Sequence, residues 1–132
     1  MANAVLVDSN FYISRHRANA DPFLELDTVS EFWEPVTCGM VVLEVLRGFR
    51  NESDCQYYRE AFGVMSCVPT TDRIWDSATD LLRALSRKGF TLPPQDALIA
   101  VSALSIDAPL LTFDQHFSLV PKLTVLNSLP QP

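Results

Sequence analysis

The sequence predicts an α/β protein in which helices separate the strands of a mostly parallel sheet. Three observations support this prediction: short apolar runs without polar alternation recur along the chain, segments with helical periodicity lie between them, and aspartates follow two of the runs. The 132 residues are 48% hydrophobic and 20% charged, which is typical of one folded domain. We therefore expect a single domain over residues 1–132, ordered except at the Pro-rich end from Leu129 to Pro132.

The first half of the chain is predicted to contain three strands and four helices. A helix start is indicated by a Ser, Thr or Asn that caps its free N–H groups, or by Pro in its first turn. In chain order the elements are a strand over 4–7, a helix capped by Ser9 or Asn10 and ending near Arg17, a helix beginning at Pro22, a strand over 33–36, a helix from Cys38 to about Phe49 capped by Thr37, a helix capped by Ser53 and running through Phe62, and a strand over 64–68.

Two further helices and two strands are predicted in the second half. The first helix is long and amphipathic, and the second is almost entirely apolar or small, which indicates burial on most of its sides. In chain order the elements are a helix from Asp72 capped by Thr70 or Thr71 and stopped by Gly89, a helix opened by Pro93 and Pro94 and running through 95–104, a strand over 109–111 and a strand over 124–126. The sheet thus has about four to five strands.

Charge, cysteine content and hydropathy exclude several classes of protein. The net charge of −6 gives no broad attraction for phosphate, which argues against a protein that coats nucleic acid but allows an enzyme that holds it locally. The three cysteines form no C-x-x-C pair, so neither a disulfide framework nor a zinc cage is indicated. No apolar run is long enough to span a bilayer and no basic segment precedes the first one, so we expect a cytoplasmic protein without a membrane partner.

Four carboxylates occupy positions where a ligand site is expected. Asp8 and Asp114 follow buried strands, and open α/β sheets bind ligands beyond the carboxyl ends of their strands. Asp96 shares a helix face with apolar residues, and Glu44 lies at the edge of one. Each also has a simpler interpretation: a helix cap for Asp8 and Asp114, a favourable helix dipole for Asp96, and a boundary residue paired with Arg47 or solvent for Glu44.

If the four carboxylates converge, their mutual repulsion would keep them ionised at neutral pH only around cations. Oxygen ligands in that number select Mg²⁺ or Mn²⁺. Two such ions can activate water for phosphodiester hydrolysis, so that no nucleophile from the protein is required. His116 follows Asp114 by two residues, and a short turn is expected to direct it away from that aspartate.

The acidic residues lie in four short motifs, V-L-V-D-S-N at 5–10, V-L-E-V-L-R-G at 42–48, P-Q-D-A-L-I-A at 94–100 and L-L-T-F-D-Q-H-F at 110–117. Together they resemble the PIN-domain family, and they are most similar to the VapC-type ribonuclease toxins of toxin–antitoxin pairs. The resemblance covers nearly the whole chain and implies a three-layer α/β/α sandwich. It also implies roles for six residues: Asp8, Glu44, Asp96 and Asp114 as metal ligands, Thr112 as the hydroxyl that supports metal, water or the last aspartate, and Ser9 as the small hydroxyl residue beside the first.

The same resemblance implies the partners of the chain. They are Mg²⁺ or Mn²⁺, an RNA substrate, a second copy in a homodimer, and an antitoxin whose basic tail fills the acidic pocket. Six residues on or beside the helices of the site are candidates for binding RNA: Ser9, Tyr12, Arg15, Arg17, Arg47 and Arg50.

The leading hypothesis is therefore a metal-dependent endoribonuclease that uses metal-activated water, as the toxin of a toxin–antitoxin pair. One alternative is a phosphatase with Asp8 as covalent nucleophile, although such enzymes usually carry a second aspartate two residues later, where this chain has Asn10. The other is a non-catalytic PIN-like module that binds a basic partner peptide, which the acidic composition would favour.

Overall fold

The carboxyl ends of two adjacent parallel strands position the site. The computed structural model describes residues 3–129. Five strands form one sheet: β1 (Asn3–Val7), β2 (Trp33–Cys38), β3 (Ser66–Val68), β4 (Leu110–Leu111) and β5 (Val125–Leu126). They are all parallel and lie in the order β3-β2-β1-β4-β5. The strand order reverses between β1 and β4, which is where open α/β sheets bind their ligands.

Helices connect the parallel strands, as such pairs require. In residues 3–129 they are α1 (Ser9–Arg17), α2 (Pro22–Asp27), α3 (Gly39–Leu46), α4 (Glu52–Gly63), α5 (Asp72–Arg87) and α6 (Pro94–Ser105), together with a 3-10 helix at Gln115–Leu119. The five-stranded sheet and six α-helices form the predicted three-layer α/β/α arrangement. Within the described part of the chain, no helix is both long enough and apolar enough to cross a membrane.

The core is built around β1 and α6. The last three residues of β1, Val5 to Val7, are at most 1% exposed, as the absence of polar alternation predicted. In α6 seven consecutive residues, Ala97 to Ala103, are buried, so the predicted burial of this helix on most sides is confirmed. Because α6 is buried in the core, the backbone of Asp96 in its first turn is held in a fixed position.

The predicted helix caps Thr37 and Ser53 were wrong, because in each case a neighbouring residue begins the helix. Thr37 lies inside β2, opposite Cys67 of β3, since pairing with β3 carries the strand on to Cys38. Asn51, not Ser53, caps α4, and its Oδ1 accepts from the N–H of Ser53 at 2.8 Å. Thr71, one of two predicted candidates, does cap α5.

Some predicted boundaries of helices and strands differ from those in the structure. Helix α3 ends at Leu46 rather than near Phe49, and β3 begins at Ser66 rather than at 64 because α4 continues to Gly63. The expected lack of order from Leu129 concerns mainly residues 130–132, which lie outside the described residues. Leu129 itself is described and packs against the hydrophobic core.

Candidate active site

Asp8, at the end of β1, is held by hydrogen bonds at both of its carboxylate oxygens. Its Oδ1 accepts from the N–H of Ser9 at 2.7 Å, which makes Asp8 the N-cap of α1 in place of the predicted Ser9 or Asn10. Its Oδ2 accepts from the hydroxyl of Thr112 at 2.8 Å. The side chain is only 4% exposed. The helix-cap interpretation is therefore correct for one oxygen, while the other oxygen faces the end of β4.

Ser9 connects the first aspartate to Glu44. Its Oγ donates to Glu44 Oε1 at 3.2 Å and lies 3.4 Å from Asp8 Oδ1. Glu44 on α3 therefore turns towards the end of β1. Its pKa is raised by burial and by the charge of Asp8, and these effects are opposed by the hydrogen bond from Ser9 and by the charge of Arg47. The predicted pairing of Glu44 with Arg47 is thus present as a weaker electrostatic effect.

Thr112 joins Asp8 to Asp114. Besides donating to Asp8, its Oγ1 accepts from the N–H of Asp114 at 3.1 Å. Asp114 caps the 3-10 helix, and its Oδ1 accepts from the N–H of His116 at 2.9 Å. The expectation that His116 points away was wrong, because the same turn brings its Nδ1 to 3.0 Å from Asp114 Oδ1.

Asn10 is a residue of the site that the sequence analysis did not identify. Its Nδ2 donates to Thr112 Oγ1 at 3.2 Å, and its Oδ1 accepts from the N–H of Phe113 at 3.3 Å. Asn10 thereby ties the first turn of α1 to the segment after β4. The only signal in the sequence was its place directly after Asp8 and Ser9, where it was taken for a helix cap.

The electrostatics of Asp96 show that the four carboxylates interact. Burial raises its pKa to about 6, with further contributions from the charges of Asp8, Asp114 and Glu44 and a lowering by His116. Burial also raises the pKa of Asp8, while the hydrogen bonds from Thr112 and Ser9 lower it and the charge of Asp114 raises it. The structure therefore places the four predicted acidic residues, here called the acidic cluster, close enough for the charges of the other three to act on Asp96. A bound cation would relieve this repulsion.

A known family matches the segment that contains this cluster. The model of the PIN domain family matches residues 5–123, which is most of the chain. The chain belongs to the PIN-domain family. Its members are nucleases that generally use divalent metals. The resemblance stated from the four motifs is confirmed.

The fold of this PIN domain is similar to that of several solved complexes. VapBC2 from Rickettsia felis bound to a promoter DNA fragment has a TM-score of 0.79 at 18% identity, covering 93% of this chain and 97% of that chain. DNA-bound VapBC from Salmonella typhimurium has a TM-score of 0.77 at 16% identity, and the match covers 96% of this chain and 98% of that chain. VapBC-1 from nontypeable Haemophilus influenzae has a TM-score of 0.76 at 19% identity, and the match covers 93% of this chain and 96% of that chain. No curated protein sequence matches the chain.

The donor set of the PIN domain suits a hydrated divalent cation. In residues 3–129, no group of three or more His, Cys, Asp or Glu side chains is already placed so that it could hold a metal ion. Mg²⁺, however, usually retains several waters and is bound through one or two carboxylates. The oxygens of Asp8, Glu44, Asp96 and Asp114 fit that chemistry, whereas zinc prefers Cys and His ligands that this cluster lacks.

The suggestion that Tyr12 contacts RNA was wrong. Tyr12 is 0% exposed, because its face of α1 packs into the core. Its ring lies 5.0 Å from that of Phe62 and 5.4 Å from that of Phe23. Its hydroxyl lies 4.0 Å from the sulfur of Met65. Closeness in sequence to Asp8 therefore did not bring Tyr12 to the surface of the site.

The four predicted arginines separate into two groups. Arg15 is paired with Glu25 at 2.6 Å and lies over the ring of Phe11 at 4.8 Å, so its charge is already engaged. The other three arginines are exposed and line one cleft of about 540 Å³ between α1 and the α3–α4 segment: Arg17, Arg47 and Arg50. The structure thus assembles three of the four side chains on a common surface, which also includes the carboxylate of Asp54.

Proposed function

We propose that this single PIN-like domain is a metal-dependent endoribonuclease that hydrolyses phosphodiester bonds of RNA. The observation that supports this proposal is the hydrogen bonding that links Asp8 to Glu44 through Ser9 and to Asp114 through Thr112, with Asp96 within reach of their charges. Neither a nucleoside triphosphate motif nor a zinc ligand set accompanies them in the sequence. Membership of a nuclease family supports the same reaction class.

The four carboxylates would hold Mg²⁺ or Mn²⁺, and the bound ion would supply an activated water and stabilisation of the leaving oxygen. Thr112 and Ser9 orient Asp8, because their hydrogen bonds engage both of its oxygens. These bonds also favour the ionised carboxylate against the effect of burial. Asn10 in turn orients the Thr112 hydroxyl. The chain therefore holds the carboxylate of Asp8 in a fixed orientation, in which it would meet the cation.

The proposed role is that of a toxin held by an antitoxin. The solved structures of similar fold include VapBC complexes and a toxin–antitoxin complex from Klebsiella pneumoniae, the latter at a TM-score of 0.71. The net charge of −6 favours a partner with a basic tail. We include in this proposal a homodimer and a cytoplasmic location.

Metal dependence is the direct test of the proposed activity. Purified protein should cut unstructured RNA with Mg²⁺ or Mn²⁺, and EDTA should abolish the cutting until excess Mg²⁺ restores it. Structured RNAs assayed alongside define the substrate. Cutting that persists in EDTA, or none from folded protein free of any partner, would contradict the proposal.

The cleft lined by Arg17, Arg47 and Arg50 is proposed to contact RNA phosphates. Arg17→Ala and Arg50→Ala should each weaken binding of a short unstructured RNA in EDTA and lower the slope of log affinity against log salt by roughly 0.7. Fluorescence anisotropy over a salt series measures both. Arg83→Ala, an exposed arginine of α5 outside the cleft, is the matched control. Equal slopes for all proteins would rule out these contacts.

A non-catalytic PIN-like module is the second candidate, favoured by the acidic composition and by the absence of a preformed metal group in the described residues. The metal-dependence assay distinguishes it, since such a module would bind a basic peptide without cutting RNA. The phosphatase alternative is weakened. Both oxygens of Asp8 accept hydrogen bonds, and the amide of Asn10 is engaged by Thr112 and Phe113.

A further inference from the structure

A second cavity adjoins the acidic cluster on the side of β4 and β5. It has a volume of about 490 Å³, within the usual range for small-ligand pockets. Thr112 and Asp114 form part of its wall and also belong to the acidic cluster. A group that occupied this cavity would therefore lie next to the proposed metal site, where the scissile phosphate would bind.

The lining of this cavity differs in chemistry from that of the arginine cleft. Among the described residues that line it, Asp114 has the only charged side chain, and the others include the ring of Phe113 and the amides of Gln115 and Asn127. Phe113 is 40% exposed, and both amide residues are exposed. An aromatic ring with amide donors and acceptors suits a planar, uncharged ligand that has hydrogen-bonding edges. It does not suit a phosphate, because none of the described residues that line the cavity carries a positive charge.

Phe113 is held in place before any ligand binds. Its N–H donates to Asn10 Oδ1 at 3.3 Å, and its ring packs against that of Phe11 with centroids 6.0 Å apart. The guanidinium of Arg15 lies 5.4 Å from the ring centroid and is itself fixed by its ion pair with Glu25. A ring supported in this way loses little freedom when a second planar group stacks on it.

We propose that this cavity binds one unpaired base of the RNA next to the cut bond, and that it thereby sets the sequence preference of cleavage. The base stacks on Phe113, while Gln115 and Asn127 read its hydrogen-bonding edge. The inference rests on the proposed nuclease function for the source of the base. It assigns specificity to residues outside the predicted site.

The test compares base preference in wild-type protein and in surface variants. Cleavage rates are measured on RNAs that differ at one position, and affinities for the same RNAs are measured in EDTA. Phe113→Ala should lower both values for the preferred base by about 5- to 100-fold and flatten the preference. Asn127→Asp, which replaces a donor by an acceptor, should change which base is preferred.

Matched controls separate a local effect from a general one. Phe90→Ala removes another exposed aromatic ring, one that does not line the cavity. Asn3→Asp adds the same charge as Asn127→Asp, but at the amino end of β1, away from the carboxyl ends of the strands. Phe90→Ala and Asn3→Asp should both retain the base preference of the wild-type protein.

Each possible outcome supports or overturns the inference. A preference that is unchanged in Phe113→Ala and Asn127→Asp overturns it, and so does a cavity that binds free nucleoside monophosphates without affecting the preference. If the wild type cuts no RNA, the nuclease proposal fails, but the affinities in EDTA still test the cavity. A base preference in binding that Phe113→Ala abolishes supports the cavity, and equal affinities for all bases refute it.

Discussion

Asp96→Asn is expected to lower RNA cleavage by about a thousandfold and, at the same time, to stabilise the fold at neutral pH. Cleavage falls because the amide removes a charged oxygen from the set that would hold the cation. The fold gains because Asp96 is repelled by Asp8, Asp114 and Glu44 and is partly buried. Cleavage rates in Mg²⁺ measure the first effect, and unfolding by urea in the presence of EDTA measures the second. A merely structural residue would not produce this opposite response.

The stability effect has a definite dependence on pH. The pKa of Asp96 rises from an ordinary 3.8 to about 6 in the folded chain, so ionisation is less favourable there than in the unfolded chain. Well below the unfolded pKa of 3.8 both states are protonated and this group has no effect, whereas as the pH rises from 3.8 to about 6 its ionisation increasingly destabilises the fold. At pH 7 we expect Asp96→Asn to be more stable by about 1 kcal/mol, a value reduced for solvent screening of a partly exposed group. The difference should shrink as the pH is lowered towards 3.8 and vanish well below it.

Two further variants show whether the effect is specific. Asp80→Asn changes an exposed aspartate of α5 and should leave cleavage and stability unaltered. Thr112→Val removes the donor to Asp8 while it preserves the shape of the side chain, and it should reduce cleavage by about 10- to 100-fold. Full activity of Asp96→Asn would remove Asp96 from the proposed ligand set.

Tyr12→Ala is expected to lower the free energy of unfolding by about 3–5 kcal/mol, a large part of the stability of an ordinary domain. Tyr12 is 0% exposed and packs among aromatic rings from α1, α2 and α4, so its removal leaves a cavity that rigid neighbours cannot fill. Denaturant unfolding measures the change. Trp75→Ala, which removes a ring that is 55% exposed on α5, should have a much smaller effect.

Tyr12→Phe separates the structural role from RNA contact. The variant preserves the packed ring and removes only a hydroxyl that lies 4.0 Å from Met65 Sδ. Burial holds the pKa of that hydroxyl above its usual range, so it stays protonated and contributes no charge. RNA affinity and cleavage should therefore match those of the wild type. A marked loss of RNA affinity in Tyr12→Phe would show that the side chain reaches the substrate after all.

The pattern of residues along the chain was sufficient to predict the fold class and the five strands, and it made four acidic residues candidates for a ligand site. Buried parallel strands such as β1 carry unbroken apolar runs, and helices such as α5 carry an apolar stripe, because each pattern depends on near neighbours in the sequence. Position after a buried strand made Asp8 and Asp114 candidates, with helix capping as the alternative, and helix periodicity did the same for Asp96 and Glu44. The resemblance to a family then implied that all four are metal ligands, a role that position and periodicity left open.

Other features depended on contacts between residues that are far apart in the chain. Asn10 meets Thr112 across 102 positions, and Ser9 meets Glu44 across 35. Packing of α1 against α2 and α4 buried Tyr12, which local sequence had placed near the substrate. No local pattern encodes such pairings, because a side chain's exposure and partners are set by the elements that pack around it. The acidic residues could therefore be proposed from the sequence. The hydrogen bonds that hold Asp8, the arginine cleft and the cavity beside Phe113 could be described only from the tertiary structure, because each joins residues from different strands and helices.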